Sequence, residues 1–359
     1  MTIIATLLVM PQIIAADTLP GESITVEGLP PMPMALSNNA VAVYTDEGGM
    51  RLVSAMGLGA GKSGQDISDT AWRYSADDGK WVALESVPGG HGRLAASAVT
   101  VAGLVYLFGG YTVAKDGSEV STPGVYRLDP HTGEWTEFSH MPVPVDDAVA
   151  VPYQDRYIYL VSGWHDVGNV NLVQMLDTQT GAWQQASPWP GAPVFGQAGS
   201  LSGDAMLICD GVRVVYHADS ASRQFVMSDE CWLGKISADD PRRIHWQPIA
   251  RHPGKPRYRM AAGSTDSDQA WFVGGSVNPY NYDGIGYNGK TSEPEPMPFS
   301  YDFSTDEWSC HPELIPATMD HRGLPWHDGW FYLAGGMLAG QQVSDKTLRF
   351  KPSPAVPCP

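Results

Sequence analysis

Short apolar runs that end in small residues recur along the chain and predict a repeated, buried β-strand. Four copies are clear, at residues 104–110, 157–163, 270–275 and 330–336. Two degenerate copies lie at residues 52–57 and 205–211. Every copy ends in glycine and three of the six end in a glycine pair, which lets the backbone turn sharply where neighbouring sheets crowd together. Runs of this length are typical of strands rather than helices, so the pattern predicts an all-β chain built from repeats.

A second pattern closes each repeat with a tryptophan. The pattern predicts a strand, a tight turn that often carries Asp-Gly or Thr-Gly, and a returning strand that begins with an aromatic residue. We expect the indole ring to fill the gap between neighbouring sheets. A proline follows each tryptophan after a few residues. The tryptophans are Trp81, Trp135, Trp183, Trp246 and Trp308, and the prolines are Pro88, Pro142, Pro190, Pro253 and Pro316.

The two ends of the chain supply parts of one repeat. The last copy continues into residues 347–350, but no tryptophan strand comes after it, whereas residues 23–30 read like the missing strand and its proline. The repeat length of about fifty to sixty residues, the glycine pair and the tryptophan hairpin together resemble the kelch repeat. The sequence therefore predicts a six-bladed kelch-type β-propeller whose last blade is closed by the N-terminal strand.

Composition agrees with many short strands in one body. The chain has 359 residues, with 39 glycines, 29 prolines, 12 tryptophans and 15 tyrosines, while charged residues make up only 17%. This mixture is poor for long amphipathic helices, and residues 17–359 are expected to form a single propeller domain. The formal net charge of −17 argues against a nucleic-acid partner, because that chemistry begins with a basic field.

Residues 1–16 resemble an export signal. Residues 3–14 are mostly apolar, and Ala15 and Ala16 supply small residues for cleavage, although no Lys or Arg precedes the apolar run. We therefore expect a periplasmic or secreted protein. No other stretch approaches ~20 consecutive apolar residues, so membrane insertion of the mature chain is not expected.

Four cysteines leave two interpretations open. Cys209 and Cys231 lie in one repeat, and a bond between Cys310 and Cys358 would tie the C-terminal tail to the penultimate blade, as an oxidising compartment allows. Buried thiols fit the sequence equally well. None of the cysteines has the paired spacing of a zinc site, and the sequence predicts neither a metal nor a cofactor.

Loop lengths indicate which end of the propeller carries the function. The segments after the glycine pairs are long at residues 111–122, 212–230 and 276–298, whereas the hairpins before the tryptophans are mostly short. Function tends to lie on long, varied loops. The segments that enter the innermost strands share this face in a propeller, so we expect a site at this mouth of the central channel.

Polar side chains of these segments supply the candidate residues. As proton carriers we predict His91, Asp147, Asp320 and His321. As binding residues we predict Arg93, Arg257, Arg259 and Arg322 from the segments that enter the innermost strands, and His165, Arg213, Asn278, Tyr280 and Tyr282 from the long loops. Guanidinium groups bind carboxylates through paired hydrogen bonds, so the mouth is expected to be cationic and to bind an acidic sugar or glycan.

Within the kelch proteins, the chain resembles the bacterial sialic acid mutarotases, the N-acetylneuraminate epimerases. The matching segments run from Arg322 to Trp326, from Gly335 to Gly340, from Asn281 to Gly289 and from Ser187 to Trp189. The resemblance implies mutarotation, in which one group takes a proton from the anomeric hydroxyl and another gives one to the ring oxygen. The family's proposed proton acceptor is a glutamate directly after the glycine that ends the fourth buried strand, where this chain has Val212.

Three functions remain open from the sequence. The first is an exported mutarotase of an acidic sugar such as sialic acid, with the predicted Asp and His residues in place of the missing glutamate. Asp210 is the nearest carboxylate to that position, but it is expected to point to the opposite face of the strand. The second is a non-catalytic propeller that binds a glycan or a protein. The third, a relative of the kelch-containing galactose oxidases, is weaker, because only Cys209 lies near an inner-channel position for their copper radical site.

Overall fold

The computed structural model describes residues 24–216 and 222–358, and it confirms the predicted six-bladed propeller. The predicted export signal lies outside these residues. Each blade is a four-stranded antiparallel sheet. No helix in the described ranges is long and apolar enough to cross a membrane.

The strands of each blade are consecutive in the chain, except in blade 6. From the channel outwards they are Ala40–Asp46, Gly49–Leu58, Ile67–Ser75 and Lys80–Leu84 in blade 1; Ser97–Val101, Leu104–Phe108, Gly124–Leu128 and Trp135–His140 in blade 2; Val149–Tyr153, Tyr157–Val161, Val173–Asp177 and Trp183–Gln185 in blade 3; Ala198–Ser202, Ala205–Cys209, Cys231–Ile236 and Ile244–Ile249 in blade 4; Ala261–Ser264, Gln269–Val273, Phe299–Asp302 and Glu307–Cys310 in blade 5; and Trp326–His327, Trp330–Ala334, Thr347–Phe350 and Val26–Leu29 in blade 6.

The apolar runs of the sequence form the second strand of each blade. These strands are covered on both faces by neighbouring blades, so nearly every position is buried, as in Tyr157–Val161 and Trp330–Ala334. That is why the runs are continuous rather than alternating. The outermost strands are covered on one face only, and Lys80–Leu84 is largely exposed.

The tryptophans lie between blades as predicted, and the indole N–H groups of four of the five join their blade to the one before it. Trp183 donates to the Ser139 hydroxyl at 3.0 Å, and Trp308 donates to the Ala250 carbonyl at 2.8 Å. Trp246 and Trp81 make the same kind of bond to the carbonyls of Ser187 and Pro30, at 3.3 and 2.9 Å. The fifth, Trp135, packs between blades 1 and 2, and its indole N–H has no hydrogen-bond partner among the described residues.

Blade 6 is built from both ends of the described chain, as predicted. Val26–Leu29 pairs in antiparallel register with Thr347–Phe350 and forms the outermost strand. Arg349 and Glu27 form a salt bridge of 2.7 Å across the pair. Ile24 is buried beside Trp271 and Leu314 of blade 5. The radial arrangement of the blades leaves only short, protected sheet edges.

All four cysteines form disulfides, which resolves the question that the sequence left open. Cys209–Cys231 joins the two middle strands of blade 4, at the base of the hairpin that connects them in the chain. Cys310–Cys358 ties the C-terminal tail to the outermost strand of blade 5.

The innermost strands of all six blades surround a central channel. At the face opposite the long loops the channel opens into a largely apolar cavity of about 340 Å³, which we call the lower cavity. At the other face, which we call the mouth face, small two-stranded hairpins follow the second strands. They are Tyr111–Val113 with Glu119–Ser121, Trp164–His165 with Gly168–Asn169, Val212–Tyr216 with Arg223–Met227, and Met337–Leu338 with Gln342–Val343. Short 3-10 helices lie at Gly64–Asp66 and Ala339–Gln341.

Candidate functional site

Six equivalent backbone bridges build the mouth face. In every blade the segment that enters the innermost strand pairs with the residue that leaves the second strand. The pairs are Ser37 with Leu58, Leu94 with Tyr111, Asp146 with Trp164, Phe195 with Val212, Tyr258 with Ser276, and Met319 with Met337. These bridges confirm that both sets of segments share one face.

The residue after each of the first-named bridge partners has a left-handed backbone. Its φ is 59° at Asn38, 58° at Ala95, 49° at Asp147, 62° at Gly196, 55° at Arg259 and 73° at Asp320. We call these six residues the channel ring. Asn, Asp and Gly tolerate this conformation best, and its presence in all six blades shows that the architecture requires it. Backbone bonds from Asp147 N to Ala95 O, 3.1 Å, and from Gly196 N to Asp147 O, 2.9 Å, link successive members.

Two channel-ring carboxylates and two arginines form a buried ion cluster at the centre of the ring. Arg259 binds Asp147 at 2.6 Å and Asp320 at 3.0 Å. Arg322 binds the same two carboxylates, at 2.6 and 3.5 Å. None of these four side chains is more than 5% exposed. The ion cluster (Asp147, Arg259, Asp320 and Arg322) therefore carries no net charge.

The ion cluster also closes the channel. Asp147 and Arg259 line a pocket on the mouth face, whereas Arg322 lines the lower cavity on the opposite side. Burial alone would raise the pKa of Asp147, but the adjacent Arg259 and Arg322 outweigh it and hold the pKa below its usual value. Asp147 is therefore ionised at neutral pH and committed to its arginine partners.

The pocket above the ion cluster has a volume of about 410 Å³, which is within the usual range for small-molecule sites. We call it the mouth pocket. Its walls come from the hairpins of blades 2, 3 and 4 and from the blade 5 loop, residues 276–298. The lining residues are Tyr111, Gly117, Ser118, Glu119, Asp146, Asp147, Trp164, Asp166, Phe195, Arg223, Phe225, Arg259, Asn281 and Tyr287.

Two further carboxyl groups of the mouth pocket have raised pKa values. Asp146 is 3% exposed and accepts a hydrogen bond from the Ser121 hydroxyl at 2.7 Å. Burial raises the pKa of Asp146 well above its usual value, and the neighbouring charge of Asp147 raises it further. Glu119 lies on the rim, where partial desolvation of its carboxyl raises its pKa despite the opposing effect of Arg259 and Arg223. The pocket thus contains two carboxyl groups suited to hold or exchange protons.

Aromatic rings and one arginine complete the walls. The Arg223 guanidinium lies 5.4 Å from the centroid of Trp164 and 5.7 Å from that of Phe225. Phe225 stacks on Tyr287 with 3.8 Å between ring centroids. Arg223 is exposed, and its charge acts against the raised pKa of Glu119 in the same pocket. A guanidinium group in this position is suited to bind an anionic ligand.

The predicted arginines do not meet at the mouth, and the expected cationic mouth is not what the structure contains. Arg93 turns into blade 2, where it donates to the Tyr126 hydroxyl at 2.7 Å. Arg257 donates to the Met297 carbonyl at 2.8 Å, and burial lowers its pKa to about 10. Arg259 and Arg322 are neutralised within the ion cluster. The mouth pocket has four acidic residues and two arginines in its walls.

The predicted histidines lie apart from one another. His91 is exposed on the loop that enters blade 2. His165 is half-buried and its Nδ1 lies 2.8 Å from the Pro144 carbonyl. His321 is buried beside the Thr318 hydroxyl at 2.9 Å, and burial lowers its pKa to about 3, so it is neutral. None of the three lines the mouth pocket.

The predicted residues of the blade 5 loop hold that loop across the channel. Asn278 donates to the Ser292 hydroxyl at 3.0 Å within the loop. Tyr280 is fully buried, and its ring lies 5.3 Å from the Arg259 guanidinium carbon. Tyr282 packs against the apolar residues of blades 1 and 2, including Leu58 and Tyr111. The loop therefore caps the centre of the channel and leaves the mouth pocket open to one side.

Arg213 and Arg223 lie on the two strands of the blade 4 hairpin, residues 212–227, and face opposite ways. Val214 pairs with Phe225, and side chains alternate along each strand. Arg223 is therefore on the same face as Phe225, toward the mouth pocket. Arg213 is exposed on the other face.

The position of the family glutamate is filled by a buried apolar side chain. Val212 is fully buried in its bridge to Phe195. Asp210 is also unsuited to replace the glutamate, because it is buried and bound to His252 at 2.8 Å and to the backbone N–H of Arg257 at 2.7 Å. The buried carboxyl of the pocket comes instead from Asp146, which is the entering partner of the blade 3 bridge and pairs with Trp164.

Sequence reasoning placed Glu119, Arg223 and Phe225 on the correct loops but did not single them out. Loop length identified the segments that carry them. These three side chains meet in one pocket because of the strand register of their hairpins. That register cannot be recognised from the spacing of residues in the sequence. In residues 24–216 and 222–358 no group of three or more His, Cys, Asp or Glu side chains is placed to hold a metal ion.

Comparison with known proteins agrees with the fold and with the resemblance found in the sequence. Residues 92–142 match the kelch motif. The chain is 23% identical over 278 residues to human Kelch-like protein 15, covering 71% of this chain and 42% of that protein. It therefore spans less than half the length of these kelch-like relatives. It is 23% identical over 374 residues to N-acetylneuraminate epimerase of Escherichia coli, covering 89% of this chain and 91% of that protein.

A solved structure gives the same architecture. The structure of YjhT superimposes with a TM-score of 0.69 and 18% identity, covering 89% of this chain and 95% of that chain. The chain is thus a six-bladed propeller of kelch type that resembles the N-acetylneuraminate epimerases.

Proposed function

We propose that the chain is an exported mutarotase of an acidic sugar such as sialic acid, and that the mouth pocket is its active site. The observation that carries the proposal is the presence of two carboxyl groups with raised pKa values, Asp146 and Glu119, in an aromatic-walled pocket closed at its base by the ion cluster. The likeness to N-acetylneuraminate epimerase over nearly the whole chain supports the substrate class. Two disulfides support an oxidising compartment, periplasmic or extracellular.

The reaction opens and recloses a sugar ring. Glu119 accepts the proton of the anomeric hydroxyl while Asp146 donates its proton to the ring oxygen. The bond between the anomeric carbon and the ring oxygen breaks and a carbonyl group forms. Reclosure on the other face of the carbonyl returns both protons and gives the other anomer, so no cofactor is required. A carboxyl with a raised pKa is suited to this work, because it keeps its proton near neutral pH or accepts one more strongly.

Arg223 and the aromatic rings bind the substrate in this proposal. The guanidinium of Arg223 binds the sugar carboxylate. The faces of Trp164, Phe225 and Tyr287 pack against the apolar face of the sugar ring. The ion cluster keeps Asp147 ionised, which favours the protonated form of Asp146 next to it.

A second candidate is a non-catalytic glycan-binding propeller that uses the same pocket. It is favoured by Val212, which occupies the place of the family's proposed proton acceptor. In this case Asp146 and Glu119 only exchange hydrogen bonds with sugar hydroxyls and transfer no proton.

The experiment follows the interconversion of anomers by NMR. A freshly dissolved single anomer of N-acetylneuraminic acid is mixed with micromolar protein, and we expect equilibration to be accelerated. Asp146→Asn should lower the catalysed rate about 100-fold or more, the usual contribution of a general acid. Asp239→Asn is the matched control, since Asp239 is exposed on the opposite end of blade 4. Binding without acceleration by the unmodified protein would favour the second candidate.

A further inference from the structure

A second cavity lies beside the mouth pocket and shares part of its wall. It has a volume of about 290 Å³ and lies between strand Arg223–Met227 of the blade 4 hairpin and the blade 5 loop. We call it the side pocket. Arg223, Phe225 and Tyr287 line both pockets. The two cavities are therefore neighbours, and these three residues form the wall between them.

The wall shared by the two pockets, which we call the divide, consists of the stacked rings of Phe225 and Tyr287 with the Arg223 guanidinium beside them. Phe225 and Tyr287 are nearly parallel, with 15° between the ring planes. The Arg223 guanidinium lies close to the Phe225 ring. The divide therefore presents apolar ring surface to both pockets and places one positive charge within reach of either. This arrangement suits two consecutive sugar rings better than one.

The side pocket is rich in amide groups. Gln224, Asn278 and Asn288 line it together with Pro279 and Val226. Asn288 donates to the Asn278 side-chain oxygen at 2.8 Å, which holds both amides in place before any ligand binds. Amides both donate and accept hydrogen bonds, as sugar hydroxyls do. The lining chemistry is thus that of a carbohydrate subsite without a catalytic carboxyl.

The free strand edge at this pocket does not favour a peptide. Within the described residues, strand Arg223–Met227 pairs only with Val212–Tyr216, and an extended peptide joins such an edge through backbone bonds. The Phe225–Tyr287 stack joins this strand to the blade 5 loop, however, and a peptide running along the edge would have to separate the rings. Sugar rings placed on either side leave the stack intact.

Three exposed apolar side chains lie on the same hairpins as lining residues of the mouth pocket. Val120 is 53% exposed, Val167 74% and Tyr216 64%, and each lies on a mouth-face hairpin. The Tyr216 hydroxyl donates to the Val167 carbonyl at 3.0 Å, so the two hairpins meet at this point. Apolar groups gathered at the edge of a pocket are typical of a surface that contacts a ligand larger than the pocket itself.

We propose that the side pocket is a second sugar subsite and that the ligand of this protein is an oligosaccharide. The acidic sugar at the reducing end lies in the mouth pocket, and the next sugar lies in the side pocket. This inference rests on the function proposed above, because it takes the mouth pocket as the place of the reducing sugar.

The test compares two ligands by isothermal titration calorimetry on the whole chain. The ligands are N-acetylneuraminic acid and a disaccharide of the same sugar with a free reducing end. We expect the disaccharide to bind about tenfold more tightly, as one or two added hydrogen bonds and ring contacts allow. Gln224→Ala should weaken disaccharide binding about threefold to tenfold and leave monosaccharide binding unchanged. Gln184→Ala, on the exposed outermost strand of blade 3, is the matched control and should change neither.

The outcomes separate this inference from the proposed function. Equal affinity for the two sugars, or an unchanged disaccharide affinity in Gln224→Ala, would overturn the second subsite while the mouth pocket stands. Binding of neither sugar would overturn both proposals. A circular dichroism spectrum and thermal midpoint equal to those of the unmodified protein confirm that the Gln224→Ala variant is folded.

Discussion

The Arg259 guanidinium donates two hydrogen bonds to the Asp147 carboxylate, from Nε to Oδ1 at 3.1 Å and from Nη2 to Oδ2 at 2.6 Å. The two residues are 112 positions apart in the chain and come from blades 5 and 3. Arg322, which enters blade 6, binds the same carboxylate, so Asp147 ties blade 3 to blades 5 and 6 across the channel.

Removal of Arg259 should destabilise the whole propeller. Arg259→Met leaves Asp147 and Asp320 buried with only Arg322 to neutralise them, and breaking a buried pair in this way costs about 3–5 kcal/mol. Urea unfolding followed by tryptophan fluorescence measures the change. The double variant Arg259→Met/Asp147→Asn restores a neutral Arg322–Asp320 pair, so it should be more stable than the single variant. A single variant as stable as the unmodified chain would contradict this account.

Asp146→Asn should stabilise the protein at neutral pH while lowering the proposed activity. The pKa of Asp146 is higher in the folded state than the unfolded value of about 3.9, so ionisation of this group opposes folding as pH rises. Asn keeps an oxygen for the Ser121 hydroxyl and never ionises. We expect a gain of about 0.5–2 kcal/mol at neutral pH.

The pH dependence provides the check on that prediction. Below pH ~3.9 both states of the unmodified protein are protonated at Asp146, so the stability difference between variant and unmodified protein should be small. It should grow as pH rises from ~4 and level off above the folded-state pKa. Urea unfolding of both proteins measures this difference. A difference in urea midpoint that stays the same between pH ~3 and pH ~7 would show that Asp146 does not titrate as described.

Arg223 and Arg213 allow a matched test of the mouth pocket, because they lie on opposite faces of one hairpin. Arg223→Ala should weaken binding of N-acetylneuraminic acid about tenfold, since a hydrogen bond to a charged group is worth about 1.5–3 kcal/mol. Arg213→Ala should leave it unchanged. Calorimetry with the free sugar measures both. Weaker binding in Arg213→Ala alone would place the ligand on the other face of the hairpin.

The N-terminal strand should be required for the stability of the ring. A chain that begins at residue 31 lacks Ile24, Val26 and Leu29, whose burial we estimate to contribute at least ~3 kcal/mol together. Loss of the strand also exposes the edge of Thr347–Phe350. The matched control begins at residue 24 and keeps the strand. Thermal unfolding should show a clearly lower midpoint for the shorter chain only.

The architecture could be predicted because the same sequence pattern recurs in every blade. Each buried strand is covered on both faces in the same way in all six blades, so its apolar run and its glycines recur even where one copy is worn. The ends could be joined for the same reason, since residues 23–30 supply the one part that the last repeat lacks.

The site was harder to predict, because it depends on what differs between repeats. Arg257 and Arg259 are two residues apart, yet Arg257 turns into blade 5 and Arg259 points into the channel. The left-handed backbone at Arg259, φ 55°, decides this, and an arginine gives no sign of it in the sequence. The position of Arg223 likewise depends on the hairpin register across from Tyr216.

Because the ion cluster closes the channel, the mouth pocket and the lower cavity are two dead-end cavities on opposite faces of the propeller. A sugar that enters the mouth pocket has to leave by the same opening, with no flow toward the lower cavity. Under the proposed function, substrate and product share this one opening, so a bulky molecule that covers the rim would block both entry and exit. A compound bound in the lower cavity would not block the mouth pocket, because the salt-bridged side chains of the ion cluster separate the two cavities.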